Sequence, residues 1–153
     1  MCFGQFIITI CFYQRKSEPV NPLLPVQKLE INSTDLTPSV LLDADNRIFK
    51  FEGRSVSDNP KDFFKPIHAW FKEYSKKPNA VTVIVARFEY IDTATQRELL
   101  DIIKTLEGLP DVKIVWQFLE DDEDMEECGQ ELVQLTSVPF EFQAYWFNCL
   151  VNL

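Results

Sequence analysis

The run Ala80 to Ala86 (AVTVIVA) offers apolar, mostly β-branched side chains to both sides of any strand it forms. Such a strand belongs in the middle of a sheet and is expected to be buried on both faces. Phe88 and Tyr90 continue it. On either side of the run the apolar period changes to that of an amphipathic helix. Upstream, Phe63, Phe64, Ile67, Trp70, Phe71 and Tyr74 recur at steps of three and four. Asp58-Asn59-Pro60 opens this helix with a capping side chain and a proline suited to the first helical position. Pro66 lies early, which predicts at most a local distortion. Lys76-Lys77-Pro78-Asn79 ends the helix, with cations at the negative end of its dipole. Downstream, Ile91-Asp92-Thr93 turns into a second helix with Leu99, Ile102, Ile103 and Leu106 inward. Gly108 and Pro110 close it.

The remaining segments extend the same alternation. Ser39 to Asp43 and Ile48 to Glu52 flank the turn Ala44-Asp45-Asn46-Arg47 and read as a hairpin that Gly53 ends. Val112 to Leu119 is another strand. Glu120 to Glu127 holds seven acids in eight residues and leads into a third helix, with Met125, Cys128, Leu132 and Leu135 facing in. Phe140 to Phe147 is a last strand. The resulting order, β-β-α-β-α-β-α-β, predicts an α/β fold with helices on a sheet that has parallel members. It is also the order of the STAS-type fold of anti-sigma factor antagonists.

Charge narrows the partners. Lys plus Arg is 15 against 24 Asp plus Glu, a net charge of −9. Nucleic acid requires a basic footprint, and an anionic membrane surface disfavours the same charge. The segment Cys2 to Tyr13 is apolar but shorter than the roughly 20 residues a spanning helix needs, and it lacks the flanks of a secretory signal. It reads as an extra strand or an extension. Pro19, Pro22 and Pro25 then favour an extended linker. Residues 1–28 are therefore read as extension and linker, 29–147 as the regulatory domain and 148–153 as a tail. Cys2, Cys11, Cys128 and Cys149 form no C-x-x-C pair, and His68 is the single histidine. Zinc and a thioredoxin-like dithiol are disfavoured, no cofactor is implied, and a cytoplasmic location fits.

The chain carries no nucleophile elbow, no Walker loop and no calcium-loop spacing. His68 has no partner in sequence to make it a general base, and Trp70 and Trp116 read as core. The acidic run reads as a solvated helix start or as a docking surface for a basic partner. The informative segment is Tyr90-Ile91-Asp92-Thr93-Ala94-Thr95-Gln96-Arg97. One reading is helix capping, by Asp92 or by Thr93 in a capping box with Gln96. The other is phosphorylation of a hydroxyl at the exposed end of a strand, beside free helix N–H groups.

Several separate motifs bear on that choice. Gly53-Arg54-Ser55-Val56-Ser57-Asp58-Asn59 resembles the G-x-S-Y-P-E-N segment of the SiaC family of bacterial regulators. The Phe63 to Tyr74 helix resembles that family's F-x-x-P-I-x-x-W-x-x-x-Y pattern, and Tyr90 to Arg97 its Y-x-N-T-S-S-x-K segment. Val115-Trp116, Asp121 to Met125 and Val138-Pro139-Phe140 resemble its V-x-W, D-D-E-D-M and P-F segments. The resemblance implies a non-enzymatic regulator with a threonine modified by a dedicated serine/threonine kinase and restored by a PP2C-type phosphatase. It also implies that the unmodified form binds a target protein, in one branch a diguanylate cyclase. Carried over, the phosphoacceptor is Thr93, with Thr95 as the alternative because Ala94 replaces the family's first Ser. Tyr90, Asp92, Ser55, Asp58 and Asn59 are the expected partner contacts. Asp92 replaces Asn, and Val56 and Ser57 replace Tyr and Pro. The competing reading is a STAS-like domain that binds a small ligand or nucleotide, with Thr93 a simple cap.

Overall fold

The structure, a computed structural model, describes residues 26–146. Six strands form one sheet: β1 (Leu29–Ile31), β2 (Ser39–Asp43), β3 (Ile48–Ser55), β4 (Thr82–Ile91), β5 (Val112–Leu119) and β6 (Phe140–Tyr145). Helices α1 (Pro60–Tyr74), α2 (Thr93–Leu106) and α3 (Glu123–Gln134) connect the last four. The spatial order follows the chain, β1-β2-β3-β4-β5-β6. The first two pairings are antiparallel and the other three parallel. A sheet built in sequence with right-handed crossovers must place every helix on the same side.

The core shows that single-sided arrangement. Val40, Phe51, Ala86, Trp116 and Phe142 lie in one row across the sheet, and all but the edge residue Phe142 are buried. Phe64, Ile67, Phe71, Leu99, Ile102 and Leu132 from the helices join the same cluster. Trp116 is fully buried and donates its indole N–H to the Met125 C=O at 2.8 Å, which meets the polar requirement of a buried indole. The opposite face carries Leu41, Lys50, Val85, Val115 and Glu141 in one row. The central strand β4 is therefore covered fully on its helix side only. Val83 and Val85 on the other side are half-buried, so the expected burial on both faces is corrected. Apolar composition cannot show which side of a strand the crossovers will cover.

Several expectations are corrected. The last strand, expected to reach Phe147 (a residue outside those described), ends at Tyr145. Leu135, expected to face inward, is exposed at the C-cap of α3, beyond the last helical turn that packs on the core. An additional strand, β1, precedes the hairpin, so the order is β-β-β-α-β-α-β-α-β. Three residues are too few to show a period. β1 exists because Leu29 and Ile31 pair with Leu42 and Val40 and pack on the core. β3 does not end at Gly53. It runs to Ser55 through a register shift at Gly53/Arg54, where Gly53 adopts φ +113. Glycine there relieves a conformation that other residues pay for, and so continues the strand. α1 ends at Tyr74, before the lysines, with Ser75 as its cap. Pro66 lies within α1, which runs unbroken from Pro60 to Tyr74.

Candidate functional site

Parallel strands deliver their following loops to one end of a sheet. The loop after β3, the junction between β4 and α2, and the loop after β5 therefore share one rim. Asp92 organises the middle of it. Its backbone is extended (φ −81, ψ 165), and its N–H donates to the Ser55 C=O at 3.1 Å. Its carboxylate accepts the Thr95 N–H at 2.7 Å, and its C=O accepts the Gln96 N–H at 2.9 Å. Asp92 is thus the N-cap of α2. The capping box of Thr93 with Gln96 is not formed. The frame sits one residue earlier: the Asp92 carboxylate caps the Thr95 N–H, and the Gln96 N–H that the box would need goes to the Asp92 C=O.

This frame separates the two threonines. Thr93 is the first helical residue and is exposed. Thr95 is fully buried, and its Oγ1 lies 2.9 Å from the Oγ of Ser55, itself buried. Ser55 therefore does not face solvent as a partner contact would. It ties β3 to the first turn of α2 from the inside. No signal in the sequence links residues 40 apart in this way.

The other expected contacts lie at the same end of the sheet as Thr93. Tyr90 is half exposed and in register with the exposed Arg54. Asp58 and Asn59 are exposed on the loop after β3. Asn59 caps α1, accepting the Asp62 N–H at 3.4 Å. The Val56 N–H donates to the Leu36 C=O at 2.9 Å, so the β1–β2 loop joins this rim and Leu36 stands exposed beside it. Sequence reasoning passed over Leu36, whose placement depends on that long-range bond. The acidic run begins on the same rim. Asp122 caps α3 by accepting the Met125 N–H at 3.1 Å, and Glu123, Asp124 and Glu126 occupy the first turn. An open cavity of about 410 Å³ lies between Leu119, Glu120, Asp121, Asp122, Tyr145 and Trp146.

The groups considered for chemistry have structural partners. His68 Nε2 lies 2.7 Å from Glu98 Oε2 and joins α1 to α2. Trp70 is buried and donates to the Gln27 C=O at 2.6 Å. Cys128 is buried, and burial pushes its thiol up to about 12, with a smaller contribution from Glu131. A thiol in that state is a poor nucleophile and ligand. Cys2, Cys11, Cys149 and the Pro19, Pro22 and Pro25 linker lie outside the described residues. Among the described residues no group of three or more His, Cys, Asp or Glu could hold a metal ion. No helix there is long and apolar enough to cross a membrane.

Three solved structures share the fold. Apo-SiaC from Pseudomonas aeruginosa is 24% identical with a TM-score of 0.70, and the match covers 77% of this chain and 99% of that one. The second is the diguanylate cyclase SiaD from P. aeruginosa in complex with its activator SiaC. It matches at 22% identity and a TM-score of 0.69, covering 76% and 99%. A further structure of SiaC from P. aeruginosa matches at 21% identity and a TM-score of 0.68, covering 78% and 99%. No curated protein sequence matches the chain. The family model for the SiaC family regulatory phosphoprotein matches residues 31–145, from the end of β1 to the end of β6. That description is of a regulator, in keeping with a sequence in which no catalytic constellation is legible. On a match that spans strands β2 to β6, all three helices and the Thr93 rim, the chain belongs to the SiaC family of regulatory phosphoproteins.

Proposed function

We propose that this protein is a cytoplasmic signalling regulator gated by reversible phosphorylation of Thr93. A cognate serine/threonine kinase adds the phosphate, a PP2C-type phosphatase removes it, and the unmodified protein binds a target. The observation that carries the choice of residue is the contrast between Thr93, exposed, and Thr95, fully buried with its hydroxyl against Ser55. A kinase must bring a hydroxyl into its own active site. Thr95 could reach one only if the first turn of α2 unfolded. The target we assign is a diguanylate cyclase, on the likeness to the SiaC that activates SiaD. Residues 29–147 act as the regulatory unit, and Tyr90, Asp92, Asp58 and Asn59 share the binding rim with Thr93. Ser55 serves from beneath by holding Thr95.

The gate is electrostatic. Phosphorylation adds about −1.5 to −2 charges at one point of a chain already at −9. A partner surface fitted to a neutral hydroxyl would have to desolvate that dianion, at a cost of several kcal/mol, enough to abolish a micromolar complex. Two measurements test the proposal. Mass spectrometry of protein isolated from its host should find an addition of about 80 Da on Thr93 and none on Thr95. Titration calorimetry with the purified cyclase should show Thr93→Ala binding nearly as wild type and Thr93→Asp binding more weakly. Equal affinity for wild type, Thr93→Asp and authentic phosphoprotein would end the idea of Thr93 as a gate.

A further inference from the structure

The sheet has two edges, and they are built differently. Natural edge strands are blunted by shortness, Lys, Pro or bulges, because their free N–H and C=O groups invite another strand. β1 follows that rule. It has three residues, and Glu30 within it pairs with Lys28 at 2.8 Å. β6 does not. It has six residues in unbroken register with β5, contains no Lys or Pro, and is exposed from Glu141 to Ala144. Its one charged residue, Glu141, is held by Lys113 across the ladder at 2.6 Å.

The backbone groups that β6 leaves free can be named. The Ile114 N–H donates to the Pro139 C=O, and the Glu120 N–H donates to the Tyr145 C=O. In a parallel ladder, residues that bond the neighbour alternate with residues whose groups point away. Odd-numbered residues of β6 therefore face β5. The N–H and C=O of Phe140, Phe142 and Ala144 face outward, and among the described residues no strand meets them. Two partly exposed apolar side chains border this edge. Phe142 is 36% exposed. Val133, at 37%, lies one turn beyond Gly129, which packs against Phe142.

We propose that the outer edge of β6 is a self-association surface on which a second copy of this chain adds its own β6, antiparallel about a two-fold axis. A two-fold centred on Phe142 sets Phe140 opposite Ala144 of the second copy and Glu141 opposite Gln143. Each outward N–H and C=O then meets a counterpart, and no like charges face each other along the strand. A charged partner strand would find no opposite charge to bind here, because Lys113 already answers Glu141. The second copy is the partner that this neutral, self-complementary strand fits. Since the two-fold reverses strand direction, the two Thr93 rims point to opposite ends of the joined sheet. The association is therefore independent of the phosphorylation gate.

Sedimentation equilibrium of the full chain tests this between about 1 and 100 µM, the range in which a moderate dimer changes population. The mass should rise with concentration toward twice 17.9 kDa, and Thr93→Asp should follow the same curve. Ala144→Pro removes an outward N–H and spares the bonds to β5. Ala144→Lys places an edge charge instead. Each should weaken the dimer about tenfold or more. Hydrogen exchange on the unmutated chain gives a second readout that needs no variant. The amides of Phe140, Phe142 and Ala144 should become protected as concentration rises. A constant mass of 17.9 kDa at every concentration would overturn the proposal. So would a dimer whose β6 edge amides exchange freely, or one left unweakened by both folded variants, since the contact would then lie elsewhere, residues 1–25 included.

Discussion

Replacing Thr95 by Val keeps the shape of the side chain and removes only its hydroxyl. The Ser55 Oγ, buried and bonded to nothing but Thr95 Oγ1 among the described residues, would lose its partner. Leaving one buried hydroxyl unpaired costs about 1–3 kcal/mol, whereas removing both partners together costs much less than the sum. Ser55→Ala should likewise destabilise the fold, and the double variant should recover part of the loss. The expected coupling is about 1–2 kcal/mol. Thr93→Val, on the exposed first residue of α2, should change stability by no more than about 0.5 kcal/mol. Urea unfolding followed by tryptophan fluorescence measures all four. Additive single changes at Ser55 and Thr95, or a loss at Thr93 as large as at Thr95, would refute the contrast between a buried, bonded Thr95 hydroxyl and an exposed Thr93 hydroxyl.

Three further outcomes are expected. A methyl group at Gly129 would sit 2.6 Å from Trp116 Nε1 and 2.8 Å from Phe142 Cε1. Gly129→Ala should therefore lower stability by about 1–3 kcal/mol, despite a helix-propensity gain of about 1 kcal/mol, and a higher melting temperature would contradict the packing. Asp43 is held below the usual carboxylate range by the side-chain amide and then the N–H of Asn46, and Glu107 by the Thr136 hydroxyl and the Ser137 N–H. Each binds a proton less readily folded than unfolded. Their stabilising effect is complete above the ordinary carboxyl range and is lost as pH falls through about 4 toward the folded values. Melting temperature should fall on that acid limb, and Asp43→Asn should make the fall shallower. Cys128, its thiol pushed up to about 12 by burial, should resist iodoacetamide at pH near 8 in the native protein and react once unfolded, as read by peptide mapping.

Much of the secondary structure was legible because its causes are local. The β-branched run marked β4, the steps of three and four marked α1 and α2, and Asn59-Pro60 marked a helix start that the structure confirms. A cap, a period or a proline acts within one turn, so neighbouring residues suffice to reveal it. The three residues of β1 gave no such signal, and the passage of β3 through Gly53 could not be told from a stop. Both depend on a partner strand elsewhere in the chain.

The Thr93 segment divides in the same way. Sequence by itself determined that a strand ends near Ile91 and that Asp92 or Thr93 opens a helix, and the resemblance to the SiaC family left Thr93 and Thr95 as the candidate acceptors. Tertiary structure decided which threonine is open to solvent. Thr95 disappears because Ser55, brought alongside by the parallel pairing of β3 with β4, meets it in the core. It also decided that all three helices lie on one side, through the handedness of successive crossovers, and that among the described residues no strand pairs with the outer edge of β6. Hydroxyl burial and edge exposure are properties of contacts between distant residues. The free energy that settles them arises only when the sheet is assembled.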